Sequence, residues 1–359
     1  MSIAIILLTL VIIIAFVFEY INGFHDSANA ISTVISTKAL SPRYAIIYAA
    51  ALDFVGALCG THVAKTIGAG LVSPEHVTQL VIFCALLGAV IWNLLTWYFA
   101  LPSSSSHALI GGLLGASIAH AAFNLDKAYQ LTVKLPSFHL EHPALGIINS
   151  HNVIYKVLIP MITSPILGFV VGFLIIMIML KIFYRFRPES VNRTFRKLQI
   201  FSSGFLAFSH GSNDAQKTMG IITLLLMTSG FIKSFEIPLW VICACAATLA
   251  LGTMTGGMRI IRTMSSKVIK MKPIHGFSVE IAAASIITTA SHFGFPVSTT
   301  HIISTAIMGV GSMVKVSAVK WGIVKKIVVA WVCTIPVCML LSATFYFFLM
   351  KTPLAFGGG

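Results

Sequence analysis

The sequence predicts an all-α polytopic membrane protein made of two inverted-topology repeats of about five hydrophobic segments each, with broken helices and re-entrant helical hairpins. Three observations predict it. Of 359 residues, 57% are apolar and only 9% charged, with a mean hydropathy of +0.94, where a soluble domain carries roughly a quarter charged. Apolar runs near the ~20 residues that cross a bilayer recur along the whole chain, without the short alternating segments of an outer-membrane barrel. Two polar motifs of the first half recur in the second half, in the same order.

The segments fall at about 3–36, 43–70, 77–99, 104–122 and 153–183, then 198–229, 237–257, 278–293, 297–313 and 324–350. The first and sixth are too long for one straight helix, and each contains a polar motif. The fourth, eighth and ninth are short for a crossing. The expected organisation is therefore a first repeat over 1–183, a basic linker over 184–197, a second repeat over 198–350 and a tail over 351–359. The opening MSIAIILLTLVIIIAFVFEY has no basic residue ahead of its apolar stretch and no small-residue cleavage site. It reads as a first spanning helix rather than a removed signal peptide.

The net charge of +14 is concentrated in short loops: KIFYRFRPESVNRTFRK (181–197), RIIRTMSSKVIKMK (259–272) and a looser set from Lys315 to Lys326. Under the positive-inside rule these loops, with Lys38 and Arg43, lie in the cytoplasm and both termini lie outside. The charge is thus a topology signal; no nucleic-acid partner is expected, and acidic headgroups of the surrounding lipid bilayer are a secondary partner. The six cysteines (Cys59, Cys84, Cys243, Cys245, Cys333, Cys338) lie inside segments without metal-site spacing and read as buried free thiols.

The duplication is read from two alignments. NGFHDSAN (22–29) and HGSNDAQK (210–217) pair Gly23 with Gly211 and Asp26 with Asp214, 188 positions apart. LPSSSSHALIGG (101–112) and FPVSTTHIISTA (295–306) pair Pro102 with Pro296 and His107 with His301, 194 positions apart. Five segments per repeat is an odd number, so the second copy is inverted. Inverted repeats joined by a basic loop, with broken helices in matching positions, point to a secondary transporter.

An aspartate at membrane depth costs several kcal/mol on insertion scales unless it meets a partner, a cation or water, so Asp26 and Asp214 mark a site. Beside them stand Asn22, His25 and Asn29 in the first copy and His210, Asn213, Gln216 and Lys217 in the second. Gly23 and Gly211 are expected to break their helices and free carbonyls toward a cation. Carboxylate, amide and carbonyl oxygens suit a hard cation such as Na⁺; an aspartate lined by histidine suits a proton relay. Lys217 stands three residues after Asp214 on the same helical face and offers an ion pair, whereas Asp26 has Asn29 at that place. Cation coordination is expected for Asp26 and a mixed role for Asp214.

Ser103, Ser104, Ser105 and Ser106 follow Pro102, and Ser298, Thr299 and Thr300 follow Pro296. Proline bars an earlier helix start, and hydroxyls after it are N-cap material. Free N–H groups, hydroxyls and the positive helix end form an anion site. Inversion brings the two tips together from opposite faces, cradling a small tetrahedral oxyanion. His107 and His301 are expected to cap or pack, with ligand contact or proton sensing as the alternative. Asp53 and Glu280, without equivalents in the other repeat, are read as making structural hydrogen bonds and ranked below the paired motifs; Glu19, close to the first motif, is given no role.

GFHDSANAIST, GSNDAQKTMG and GFPVSTTHIIS resemble the hallmark motifs of the inorganic phosphate transporter family, and the resemblance covers nearly the whole chain. It implies cation-coupled uptake of inorganic phosphate, inverted repeats and a homodimer. It also implies that Asp26, Asn29, Asn213 and Asp214 bind Na⁺, and that Ser103 to Ser106, Ser298, Thr299 and Thr300 bind phosphate. Two departures stand out. His25 occupies the place of Asn213, so the two cation sites differ, and no large hydrophilic domain separates Met179 from Leu198. Short members of this group include sulfate carriers, so a sulfate permease of the same fold is the runner-up.

From a different class, the serines and histidines raise an intramembrane serine hydrolase, which wants one activated serine and one base. Hydroxyls in runs, present in both repeats without a GxSxG elbow, argue against it. A passive channel is the third reading. The expectation is therefore a carrier, not an enzyme, with no cofactor beyond a transported Na⁺ or H⁺, integral to a prokaryotic inner membrane.

Overall fold

The computed structural model describes residues 3–72, 77–123, 133–135, 138–140, 149–264, 269 and 271–351. All but the first residue of the expected tail, and residues 265–268 and 270 of the second basic loop, lie outside the described residues. The first half comprises α1 (Ile3–Ser36), α2 (Pro42–Ala57), α3 (His62–Gly70), α4 (Gln79–Tyr98) and α5 (Ser105–Phe123). A small antiparallel hairpin of β1 (Val133–Leu135) and β2 (Phe138–Leu140) follows, with Lys134 opposite His139. Then come α6 (Ser150–Asn152), a π-helical turn over Val153–Leu158 and α7 (Ile159–Phe183). The second half comprises α8 (Pro188–Thr228), α9 (Leu239–Thr255), α10 (Met258–Arg262), α11 (Pro273–His292), α12 (Thr299–Val314) and α13 (Trp321–Lys351).

Helices α1, α4, α5, the run Val153–Phe183 and α13 are each long and apolar enough to cross a membrane, and α2 with α3 forms a sixth candidate bent by 72°. The segment expected over 43–70 is therefore two helices. Gly60 adopts φ +102° in the break between them, and Gly256, 196 positions later, adopts φ +64° in the break between α9 and α10. A side chain rarely tolerates that backbone region, so the two breaks are matched. Ala100 (φ +54°) and Gly294 (φ +72°) are likewise matched, 194 positions apart, where α4 and α11 end. Pro102 and Pro296 follow, and helix resumes only at Ser105 and Thr299. The basic linker is largely helical: Pro188 occupies the first turn of α8, Glu189 complements its dipole, and the helix reaches Thr228 without interruption.

The two repeats interleave. Helix α1 packs on α9 and its equivalent α8 packs on α2; α5 lies on α13 and its equivalent α12 on α7. Glycines set the closest approaches. A Cβ on Gly56 would stand 2.1 Å from the Phe208 carbonyl oxygen, and one on Gly252 would stand 2.3 Å from that of Tyr20. Tyr20 and Phe208 are 188 positions apart, the offset of the aspartate motifs, so a pseudo-two-fold relates the contacts themselves.

The expected helix breaks at Gly23 and Gly211 are not found: α1 and α8 run through both residues. A Cβ there would lie 2.3 Å from the Leu249 carbonyl oxygen and 2.1 Å from that of Asp53. These glycines admit a neighbouring backbone and free no carbonyls. Apolar cores lie on both sides of the motif: α1 gives Val11, Ala15 and Phe18 to one and Ile31 and Val34 to the other. Outward, α7 exposes Ile162, Ile166, Leu167 and Ile178, and α13 exposes Val332, Leu340 and Phe348, faces suited to lipid. These features make the chain an integral membrane protein with the expected two inverted repeats.

Candidate functional site

The polar motifs meet at the middle of α1 and α8, against the first turns of α5 and α12. Their side chains are buried: Asn22, His25, Asp26 and Asn29 from α1, His210, Asn213, Asp214 and Lys217 from α8. An unpaired charge so placed would be strongly destabilising, and Asp26, Asp214 and Lys217 each have a partner.

Three side chains meet the Asp26 carboxylate. His25 Nδ1 lies 2.8 Å from Oδ1, Thr300 donates to the same oxygen at 3.3 Å, and Ser105 donates to Oδ2 at 3.1 Å. Asn29 Nδ2 donates to Thr300 Oγ1 at 2.8 Å and to Thr299 Oγ1 at 3.4 Å. Ser105 belongs to α5 and Thr300 to α12, so one carboxylate draws together the hydroxyl-bearing tips of both repeats. Behind His25 a chain continues: Nε2 faces Thr96 Oγ1 at 3.2 Å, which is 2.8 Å from Ser103 Oγ.

Asp214 is set differently. Lys217 Nζ is 2.7 Å from Oδ1, Asn213 Nδ2 donates to that oxygen at 2.9 Å, and His210 Nε2 is 3.5 Å from Oδ2. His210 Nδ1 is 2.9 Å from Asp53 Oδ1, and Thr253 donates to Asp53 Oδ2 at 2.7 Å. Asn213 also donates to the Val297 carbonyl at 3.2 Å and accepts from Ser291 at 3.2 Å, tying α8 to the approach of α12. Ligand atoms of Asp26, His210 and Asp214 all lie within 4.8 Å of one another, a spacing that admits one cation between the two motifs.

The serine clusters divide their labour. Ser104 accepts from the His107 N–H and Ser298 from the His301 N–H, each at 3.2 Å, so these two hydroxyls cap α5 and α12 as expected. Other N–H groups of the two first turns lack intrahelical partners. Ser106 donates to the Val297 carbonyl at 3.4 Å. The first turns face each other: the His107 and His301 rings stand 4.8 Å apart, and His301 rests 4.0 Å from Trp331. Trp331 in turn donates to the Pro102 carbonyl at 3.0 Å.

Some expected residues sit elsewhere. Gln216 accepts from the N–H groups of Val63 and Ala64 at 2.8 and 3.3 Å, capping α3 after the helix break. Ser27 does the matching work for α10, accepting from Gly257 N–H at 2.8 Å. Asn22 lies beside Glu19, whose carboxylate accepts from Thr218. Glu280 accepts from Thr33 at 2.6 Å, Gln199 at 2.9 Å and Ser202, the structural role expected of it. Asp53 makes hydrogen bonds with His210 and Thr253, partners the sequence did not name. Its partner His210 is 157 positions away; the available signal was an acid where the matching contact on α9 has Leu249.

A family model for the phosphate transporter family matches residues 22–191 and 184–342. Over 343 residues the chain is 45% identical to a Rhizobium meliloti protein named "Probable low-affinity inorganic phosphate transporter", covering 95% of this chain and 96% of that one. A Bacillus subtilis protein of the same name is 44% identical over 352 residues, 97% and 99% of the two chains. A solved structure described as the sodium-dependent phosphate transporter is 22% identical, with a TM-score of 0.80 over 96% of this chain and 98% of that one, and shares the fold. These relatives are named for transport rather than catalysis, which removes the hydrolase reading of the serines. By the family model and by relatives matched along nearly their whole length, the chain belongs to the phosphate transporter family.

Proposed function

We propose that this protein imports inorganic phosphate by alternating access, coupled to Na⁺ entering at Asp26. One observation carries the reading: Ser105 and Thr300, from the inverted tips of α5 and α12, both donate to the Asp26 carboxylate. A cation bound there would release those hydroxyls and offset the repulsion between Asp26 and a phosphate dianion. Ser103 to Ser106, Ser298, Thr299, Thr300 and the free N–H groups of both first turns then cradle the anion. Asn29, Asn213 and Asp214 complete the Na⁺ surroundings. Because phosphate at neutral pH still carries an O–H, an acceptor such as Asp26 favours it over sulfate. Rocking of one repeat against the other exposes the site to each side in turn.

Proton coupling is the second reading. It is favoured by His25, hydrogen-bonded to Asp26 and continued through Thr96 to Ser103, and by His210 between Asp53 and Asp214. The basic loops support an orientation with both termini outside, and a prokaryotic inner membrane and a homodimer are part of the proposal through the family resemblance. The test is radiolabelled phosphate uptake into proteoliposomes under an inward Na⁺ gradient, an inward proton gradient or neither, with excess sulfate as competitor. Uptake driven by Na⁺ and indifferent to sulfate supports the proposal. Uptake driven only by protons replaces the coupling ion, and no uptake or uptake abolished by sulfate contradicts the phosphate assignment.

A further inference from the structure

We infer that Lys217 is a tethered cation: its ammonium fills, permanently, the place beside Asp214 that a mobile cation would otherwise take. The inference rests on the cation-coupled reading above and sharpens it, since it leaves one mobile cation for the pair of motifs instead of two.

The repeat supplies the first argument. The offset of 188 that pairs Gly23 with Gly211 and Asp26 with Asp214 pairs Asn29 with Lys217. The offset holds in space as well as in sequence, because Tyr20 and Phe208, also 188 apart, make the same glycine contact in each repeat. One motif thus carries a neutral amide, and the other a positive charge, at the same point on the same kind of helix.

Geometry supplies the second. Lys217 is 0% exposed, with its ammonium 2.7 Å from Asp214 Oδ1, a distance at which no ion fits between them. The equivalent amide of Asn29 is turned onto the hydroxyls of Thr299 and Thr300, and the Asp26 carboxylate is in contact with His25, Ser105 and Thr300, with no lysine or arginine in salt-bridge contact among the described residues. A lysine ammonium is a compact point charge with three donors, so it can stand where a small hydrated cation would. Buried, it needs a carboxylate as strongly as the carboxylate needs it, and Asp214 is thereby neutralised. Asp26 is left as the carboxylate whose charge a transported ion must balance.

The test counts bound sodium directly. Radioactive sodium is titrated onto purified full-length protein, comparing wild type with Lys217→Asn, which copies Asn29, and with Lys217→Arg, which keeps the charge. The expected result is about one more sodium bound per chain in Lys217→Asn than in wild type, no gain in Lys217→Arg, and loss of the gain in Lys217→Asn/Asp214→Asn. In proteoliposomes the sodium dependence of phosphate uptake by Lys217→Asn should steepen by about one unit of Hill slope. An equal sodium count in wild type and Lys217→Asn overturns the inference, as does an equal gain in Lys217→Arg. Should Lys217→Asn melt early in choline buffer, sodium is expected to restore its melting temperature, and a melt that sodium leaves unchanged overturns the inference too. Failure of wild-type phosphate uptake would sink the transport reading alone, because the sodium count does not depend on phosphate.

Discussion

The first and second motifs have the same backbone and different chemistry. Around Asp26 the donors are neutral hydroxyls and one imidazole, two of the hydroxyls arriving from the opposed tips of α5 and α12. Around Asp214 the leading partner is an ammonium from its own helix, and a histidine bridges to a second carboxylate. The two repeats share a scaffold and differ at two equivalent pairs, His25 with Asn213 and Asn29 with Lys217; under the proposed function, ions exchange at the first half and the second is a fixed electrostatic counterpart. The lesson is that symmetry in a transporter of this kind lies in how helices approach, set by glycines and helix breaks, while the charge balance is free to become asymmetric.

The largest expected break in that comparison is Asp26→Asn. It should lower apparent cation affinity by at least about 100-fold, about 2.7 kcal/mol, in cation titrations of phosphate uptake, with membrane expression nearly unchanged. Asp214→Asn leaves the Lys217 ammonium buried without its partner, so its main expected effect is loss of folding stability, about 3 kcal/mol, seen as a lowered melting temperature in detergent. If Asp26→Asn and Asp214→Asn gave the same cation titration, the division of labour would be wrong.

Next in size come the glycine contacts. Gly211→Ala places a Cβ 2.1 Å from a backbone oxygen and Gly23→Ala one 2.3 Å away. Each should destabilise by about 1–3 kcal/mol through forced separation of two helices, and by similar amounts, since the two contacts are related by the repeat. A melt of Gly23→Ala close to wild type would show that α1 and α9 can part where α8 and α2 cannot.

The smallest expected effect belongs to the caps. Ser104→Ala and Ser298→Ala each remove a hydroxyl that accepts from an N–H three residues on, for about 1 kcal/mol each. They should shift melting temperatures by similar small amounts. A much larger loss of phosphate uptake in one of them would mean that this cap also holds the ligand.

Legibility in the sequence follows the range of each interaction. The aspartate motifs, the proline-led caps and the Lys217 partner of Asp214 were readable, because each is local or is repeated. The role of Gly23 and Gly211 was not: a glycine that admits a neighbouring backbone and one that permits a break look identical until the neighbour is placed. The break near Gly60 was missed for the complementary reason, since apolar residues continue through it and periodicity does not register a single positive φ. Pairing of Asp53 with His210 and of Glu280 with Thr33, Gln199 and Ser202 crosses between helices far apart in the chain, and composition assigns such carboxylates only the need for some partner. Gln216 stands two residues after Asp214, but successive positions on a helix point in different directions, and its side chain reaches α3.

The most direct test of the central claim, that phosphate is held between the α5 and α12 tips beside Asp26, is phosphate binding to purified protein in saturating sodium, comparing wild type with Ser105→Ala/Thr300→Ala. The account predicts a Kd raised by at least about tenfold, about 1.4 kcal/mol, with a melting temperature near that of wild type. An unchanged Kd in a folded double variant would contradict it.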